Sequence, residues 1–173
     1  MPTTAQLLLN ELDAEAATTR RVLERVPAER YDWRPHHRSL SAGQLAQHVA
    51  SIPGAVARFA GADGFDVAAA PSDYKACGSR EALLGSFDAA VASLRDALAR
   101  LDEPAASAAW TLRFGGREIA TWSRAGMIRT MGLNHLIHHR GELVVYLRLL
   151  DVPVPIVYGR SADENPFAQG TAA

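Results

Sequence analysis

Cysteine and long apolar runs are both scarce in this sequence. Cys77 is the only cysteine among 173 residues, so one chain cannot form an internal disulfide or a cysteine-rich zinc site. Charged residues interrupt every long apolar stretch, and none approaches the roughly 20 residues that cross a bilayer. The acidic N-terminal segment lacks the apolar core of a signal peptide. We therefore expect a cytoplasmic protein without a membrane partner.

An excess of either charge is also missing. The 18 Lys and Arg residues balance 19 Asp and Glu residues, which gives a formal net charge of −1. Proteins that bind nucleic acids usually neutralise phosphates with a strongly basic surface. The charge balance therefore argues against a nucleic-acid partner. The length and the 48% of hydrophobic residues predict a single domain that covers residues 1–173.

Hydrophobic periodicity predicts four long helical segments. The first covers roughly residues 4–26, and the fourth covers roughly residues 122–150. The second begins with Ser41 and Gln44 at the spacing of a capping box, and the third begins after Ser79, a favourable N-cap residue. Four amphipathic helices with a long second connection predict an all-α fold, specifically a four-helix bundle.

Helix breakers and turn residues separate these segments. Residues 61–78 are rich in Gly, Asp, Ala and Pro, which predicts a long connection without packed structure. Gly115 and Gly116 lie between two short β-prone runs and predict a hairpin before the last helix. Pro53 should bend or break the second helix. From about residue 153 the chain has no periodicity, and we expect a loosely structured tail.

The fourth segment is apolar on two faces. The first face is directed toward the core and carries Ile128, Gly132, Leu143, Tyr146 and Leu150. The second face carries Leu133, Ile137, Val144 and Leu147. It must be covered either by the remaining helices or by a partner chain. We therefore expect a homodimer.

Three of the six histidines combine helical positions with a spacing typical of metal ligands. His135 and His139 are four residues apart, so their imidazoles lie on one helix face and can bind the same ion. His48 borders the apolar stripe of the second helix and could point toward them. His138 lies on a more polar line, and the histidine pair at 36–37 lies in a polar loop.

Hydrogen-bonded packing in the core is the alternative to a metal site for these histidines. Two adjacent neutral imidazoles each need a partner for both ring nitrogens, and a shared ion satisfies one nitrogen on each ring. Leu136 stands where an H-E-x-x-H metalloprotease carries its glutamate, so that class is excluded. The spacing alone leaves both interpretations open.

Much of the chain resembles the DinB/YfiT-like family. The resemblance lies in the motifs YDWRP at 31–35, SLSAGQLAQH at 39–48 and NHLIHHRGEL at 134–143. It implies the family's four-helix bundle, which is often dimeric. It also implies one divalent ion held by three histidines, whose positions match His48, His135 and His139 here. Zinc, nickel, iron and manganese all suit imidazole ligands, so the sequence does not select the metal.

Glu142 departs from the family pattern, which usually has glutamine at this position. The carboxylate adds a negative charge one turn from His139. It could orient a ring nitrogen, or it could pair with Arg140 or Arg148. The sequence leaves its role open.

An ion bound by three imidazoles keeps open positions for water or substrate, as catalytic sites do. A divalent ion lowers the pKa of bound water and deprotonates a bound thiol. Some relatives in the resembled family are small-thiol S-transferases, which implies a metal-bound thiolate that attacks an electrophilic substrate. The alternatives are a hydrolase that uses metal-bound hydroxide and a non-catalytic metal-binding stress protein. Cys77 has no activating partner in sequence and is not expected to be a nucleophile.

Overall fold

The computed structural model describes residues 1–70 and 75–167, in which the chain is mostly helical and has one small sheet. The α-helices are α1 Thr4–Glu24, α2 Ala42–Ala60, α3 Arg80–Ala99, α4 Glu103–Ser107, α5 Arg124–Met127 and α6 His135–Leu149. The strands are β1 Gly64–Asp66, β2 Ala109–Phe114 and β3 Arg117–Ser123. A π-helical segment, Ile128–Asn134, connects α5 to α6, and we call these three elements together the last helical segment.

Side-chain caps begin the first three long helices where the sequence predicts them. The Thr3 side chain accepts a hydrogen bond from the backbone N–H of Gln6 at the start of α1. Ser41 and Gln44 form a complete capping box at the start of α2. The Ser79 side chain caps α3. Each cap satisfies a backbone donor that has no partner within the helix.

The prolines act less strongly on the helices than their positions predict. α2 continues through Pro53 to Ala60, so the helix is not broken there. The missing N–H removes one backbone hydrogen bond, whereas α2 keeps its packing against α3 and α6. α3 ends at Ala99, so Pro104 does not interrupt it. Pro104 instead lies in the first turn of α4, which Asp102 caps, a position that tolerates proline.

The long helices pack around one core. α1 and α2 each lie against both α3 and α6. Each helix contributes fully buried side chains, among them Leu12, Leu23, Leu45, Val49, Phe87, Leu94, Leu136 and Leu143. Burial of such apolar stripes supplies most of the stability of helices in water. Among the described helices, none combines the length and the apolarity that crossing a membrane requires.

The predicted hairpin is present, but it belongs to a sheet that the sequence did not reveal. β2 and β3 are antiparallel and turn at Gly115 and Gly116, which both have positive φ. β1 pairs with β2 in parallel, so the all-α prediction is corrected to a mostly helical fold with a three-stranded sheet. The prediction of an unstructured connection over 61–78 is wrong for β1, while residues 71–74 lie outside the described residues. Asp66 fixes this strand because its carboxylate accepts the backbone N–H groups of both glycines.

The second apolar face of the last helical segment is partly used within the chain itself. Leu133 and Leu147 are buried in the core, and Ile137 and Val144 are half-buried. The remaining helices therefore cover part of this face, which is one of the two alternatives that the sequence left open, and the dimer stays a prediction.

The tail from residue 153 is anchored, which corrects the expectation of a loose segment. Val154 is buried, and the Asp163 carboxylate pairs with Arg148 of α6. Glu164 pairs with Arg21 and with Arg25 on and beside α1. Hydrophobic periodicity does not predict such a segment, because isolated polar contacts hold it in place and it has no repeating apolar face. Residues 168–173 lie outside the described residues.

A buried ion pair joins α1, α6 and the tail. The Arg140 guanidinium lies 2.7 Å from the Glu15 carboxylate, and their side chains are 1% and 11% exposed. Arg140 also donates to the Thr19 hydroxyl. The Tyr158 hydroxyl donates to the Glu15 carboxylate, and the Arg140 guanidinium lies over the Tyr158 ring. Both charges are thus compensated in a region that excludes water.

Replacement of Arg140 by methionine should lower the free energy of unfolding by about 3–5 kcal/mol, because it leaves the Glu15 carboxylate buried without its cation. Chemical denaturation monitored by circular dichroism measures the change. Arg95→Met is the matched control, since Arg95 pairs with Asp13 at the surface and should contribute less than about 1 kcal/mol. Equal losses in the two variants would show that the buried pair has no special role.

Candidate metal centre

The packing of α2 against α6 brings three histidines together. His48 lies two turns into α2, and His135 and His139 occupy the first turns of α6. The Nε2 atom of His135 is 3.4 Å from Nε2 of His48 and 2.9 Å from Nε2 of His139. All three residues are half-buried. The site therefore consists of three ring nitrogens that converge on one point between two helices.

Hydrogen bonds fix the tautomers of two of these imidazoles. Nδ1 of His139 lies 2.6 Å from a carboxylate oxygen of Glu142, which accepts hydrogen bonds only, so Nδ1 carries the proton. The His135 ring hydrogen-bonds to the backbone carbonyl of Met131. Because Nε2 of His135 faces the other imidazoles, Nδ1 is the nitrogen that donates to this carbonyl. In their neutral forms, His135 and His139 therefore present unprotonated Nε2 atoms to each other.

This arrangement fits a bound cation. Two nitrogen lone pairs that face each other at 2.9 Å repel unless a positive charge lies near both. Ligand nitrogens at roughly 2.0–2.1 Å from a divalent ion are separated by about 2.8–3.0 Å at octahedral angles and by about 3.3–3.4 Å at tetrahedral angles. The observed separations of 2.9 and 3.4 Å match these ranges. A metal-bound histidine also usually donates its other ring N–H group to a carboxylate or a backbone carbonyl.

Burial and neighbouring rings favour the neutral form of His48 and of His135. Burial, followed by the neighbouring His139 and His135 rings, lowers the pKa of His48 to about 4. Burial and the His139 ring also lower the pKa of His135. Only neutral imidazole can bind a metal ion. At neutral pH these two side chains are therefore ready to act as ligands without losing a proton first.

The structure answers the open question about Glu142. Its carboxylate contacts His139 and does not pair with either arginine that the sequence offered. Arg140 pairs with Glu15 instead, and Arg148 pairs with Asp163. Glu142 thus orients His139 from the side opposite the cluster.

The other candidate side chains lie outside the cluster of three. His138 is 65% exposed and lies 3.5 Å from Glu142, and its neighbours Glu142 and His139 complete a second, exposed group of potential ligands. The pair at 36–37 is exposed, as predicted. The half-buried thiol of Cys77 donates to the carbonyl of Ser79.

Sequence reasoning missed two features beside the histidines. The Met131 carbonyl orients His135, but a backbone acceptor leaves no signal in the sequence. Trp33 packs edge-on against Tyr146, with ring centroids 5.6 Å apart, and the Tyr146 hydroxyl donates to the carbonyl of Leu40. This aromatic pair attaches the loop before α2 to α6, two turns beyond His139.

Comparisons with known proteins agree with the fold and the motifs. The model of the DinB family matches residues 1–169. The chain is similar to a DinB-like protein from Bacillus cereus ATCC 10987, with a TM-score of 0.69 and 20% identity over 87% of this chain and 95% of that chain. A DinB-like protein from Bacillus subtilis gives a TM-score of 0.68 and 16% identity over 89% of this chain and 99% of that chain. No protein with a curated description matches significantly.

Removal of the acceptor for His139 should weaken metal binding. We expect Glu142→Leu to reduce zinc affinity by about 10- to 100-fold, because the imidazole loses the partner that fixes its tautomer and its orientation. Glu142→Gln keeps a carbonyl acceptor at this position and should retain most of the affinity. Competition with a chelating dye measures both constants. If Glu142→Leu binds zinc as tightly as the unmodified chain, the carboxylate does not orient His139.

Proposed function

Because the chain belongs to the DinB family, we propose that it is a metal-dependent enzyme whose divalent cation is held by His48, His135 and His139. The observation that carries the proposal is the convergence of three Nε2 atoms, with hydrogen-bond acceptors on the far side of the His135 and His139 rings. We also propose that the long helices adopt the family's four-helix bundle, with the cation between α2 and α6. Imidazole ligands suit zinc, nickel, iron and manganese alike.

The proposed reaction is the transfer of a small thiol to an electrophilic substrate. A divalent cation bound here would supply Lewis acidity, which lowers the pKa of a coordinated thiol. The thiol proton passes to solvent, a bond forms between sulfur and the electrophilic carbon, and the leaving group departs with its bonding electrons. The resemblance to thiol S-transferases supports this reaction over others.

The chain's own residues have defined tasks in this proposal. The Glu142 carboxylate and the Met131 carbonyl hold the protons on Nδ1 of His139 and His135, which directs both lone pairs inward. Within the described residues, the cluster supplies three ligand groups, and the nearest carboxylate is engaged with His139. Three ligands leave positions for substrate, as in catalytic sites. Cys77 is not part of the cluster, so the nucleophile comes from the co-substrate.

The first test concerns metal content. Untagged protein should contain about one divalent ion per chain, as measured by elemental analysis. We expect each of three variants to lose the ion, because the two imidazoles that remain bind it too weakly: His48→Ala, His135→Ala and His139→Ala. His138→Ala is the matched control, since this ring is exposed beside the cluster. Metal that persists in the three variants and disappears from the control would refute the ligand assignment.

The second test concerns the reaction. A panel of low-molecular-weight thiols with a model electrophile should show thiol consumption that chelation and His135→Ala abolish. Cys77→Ala should keep nearly full activity, because the protein thiol is not the nucleophile. A metal-dependent rate with esters or amides, but not with thiols, would identify a hydrolase instead. If neither panel shows a metal-dependent rate and protein groups fill every coordination position of the ion, the chain is a non-catalytic metal-binding protein.

We further propose that the chain acts as a homodimer in the cytoplasm. Family resemblance supports the dimer, and Val145 and Leu149 lie exposed on the outer side of α6. Light scattering at micromolar concentration should therefore give twice the chain mass of 18.6 kDa. Val145→Asp should shift the mass toward the monomer, because it places a charge in an apolar contact. A mass near 18.6 kDa for the unmodified chain would exclude the dimer.

A further inference from the structure

We infer that the π-helical segment Ile128–Asn134 is the element that aims His135 and His139 at His48, an inference that rests on the proposed function. A π-turn holds one more residue than an α-turn and is frequent at functional sites. Each residue turns an α-helix by about 100°. One additional residue therefore rotates everything that follows by this angle relative to everything that precedes.

The burial pattern records this rotation. Gly132 and Leu133, four and five residues after Ile128, are both buried together with it, whereas five residues of α-helix would turn Leu133 by about 140° from Ile128. After Leu133 the fully buried positions continue at the ordinary steps, with Leu136, Arg140, Leu143 and Leu147. The core stripe has thus moved by one residue within the segment.

The consequence for the histidines follows directly. In an uninterrupted α-helix, positions 135 and 139 would lie in line with Ile128, at the centre of the core stripe. In the structure Leu136 and Arg140 occupy that stripe, and Arg140 reaches Glu15 on α1. His135 and His139 are thereby turned to the flank that faces His48 on α2. Because of the additional residue, the ion pair lies on the core stripe and the metal centre lies on the flank that faces α2.

Two contacts from the segment itself set the distance and the ring orientation. A Cβ atom at Gly132 would lie 3.3 Å from Cγ1 of Val56, which is closer than side chains comfortably pack. The glycine therefore permits a close approach of the segment to α2, one turn before His135. The neighbouring Met131 supplies the carbonyl to which the His135 ring donates.

Deletion of Thr130 is the first test. This exposed residue can be removed to restore an α-helical count, and Thr130→Ala is the control of unchanged length. Binding of Co²⁺ is followed by visible absorption, which reports coordination geometry, and folding is followed by circular dichroism. We expect the deletion to reduce cobalt affinity by more than about 100-fold, because two of three ligands are rotated away. The control should bind as the unmodified chain does.

Gly132→Ala is the second test and leaves the chain length unchanged. The added methyl group should push α2 outward and reduce cobalt affinity by about tenfold, a size typical of displaced ligand surroundings. Val56→Ala removes the group that the new methyl meets. The double variant Gly132→Ala with Val56→Ala should therefore recover the cobalt affinity and the absorption spectrum. The variant with Val56→Ala alone is the reference for this comparison.

The outcomes separate this inference from the proposed function. If the unmodified chain does not bind cobalt, the proposed function itself fails. If it binds cobalt and a folded deletion variant binds equally well, the π-helical segment does not aim the ligands. If the deletion variant does not fold, the Gly132 series decides: weaker binding that Val56→Ala restores supports the inference, and unchanged or unrestored binding overturns it.

Discussion

The close approach of α2 to the last helical segment is the contact on which the candidate site depends. His48 belongs to one side of this contact and the other two histidines belong to the opposite side, so neither element holds a three-nitrogen site alone. The separation of 3.4 Å between Nε2 of His48 and Nε2 of His135 exists only while the two helices remain at this distance. Gly132, where a Cβ atom would lie 3.3 Å from Val56, permits that distance.

The last helical segment performs two different tasks on two flanks. Toward α1 it presents Arg140, whose charge is compensated by Glu15 and supported by Tyr158 of the tail. Toward α2 it presents the imidazoles of His135 and His139, and burial lowers the pKa of His135 and, across the contact, the pKa of His48. Adjacent residues on a helix point about 100° apart, so a cationic group and a neutral ligand can be neighbours in sequence and still face different surroundings. The ion pair of Arg140 with Glu15 holds the helix against α1, and the Nε2 atoms of His135 and His139 on the other side are available as metal ligands.

The groups behind the histidines matter as much as the histidines themselves. Glu142 and the Met131 carbonyl each accept a hydrogen bond from an Nδ1–H group, and both hydrogen bonds direct an Nε2 lone pair at the same point. Hydrogen-bonded core packing would instead give each imidazole nitrogen a complementary partner. The facing pair of Nε2 atoms does not satisfy that condition without a cation. This difference favours a metal site over the packing interpretation that the sequence left open.

The sequence by itself determined the helical character, the helix beginnings at Ser41 and Ser79, the Gly115–Gly116 hairpin and the three histidines, because capping, turn geometry and helical spacing are local properties. It did not reveal β1, whose three residues carry no periodicity. It also did not reveal the anchored tail, which is held in part by an ion pair between residues 143 positions apart, Arg21 and Glu164. In a uniform α-helix, His135 and His139 would lie in line with Ile128. Only the tertiary structure decided that a π-turn rotates them toward His48, since the segment that contains this turn packs against α2, which is distant in sequence.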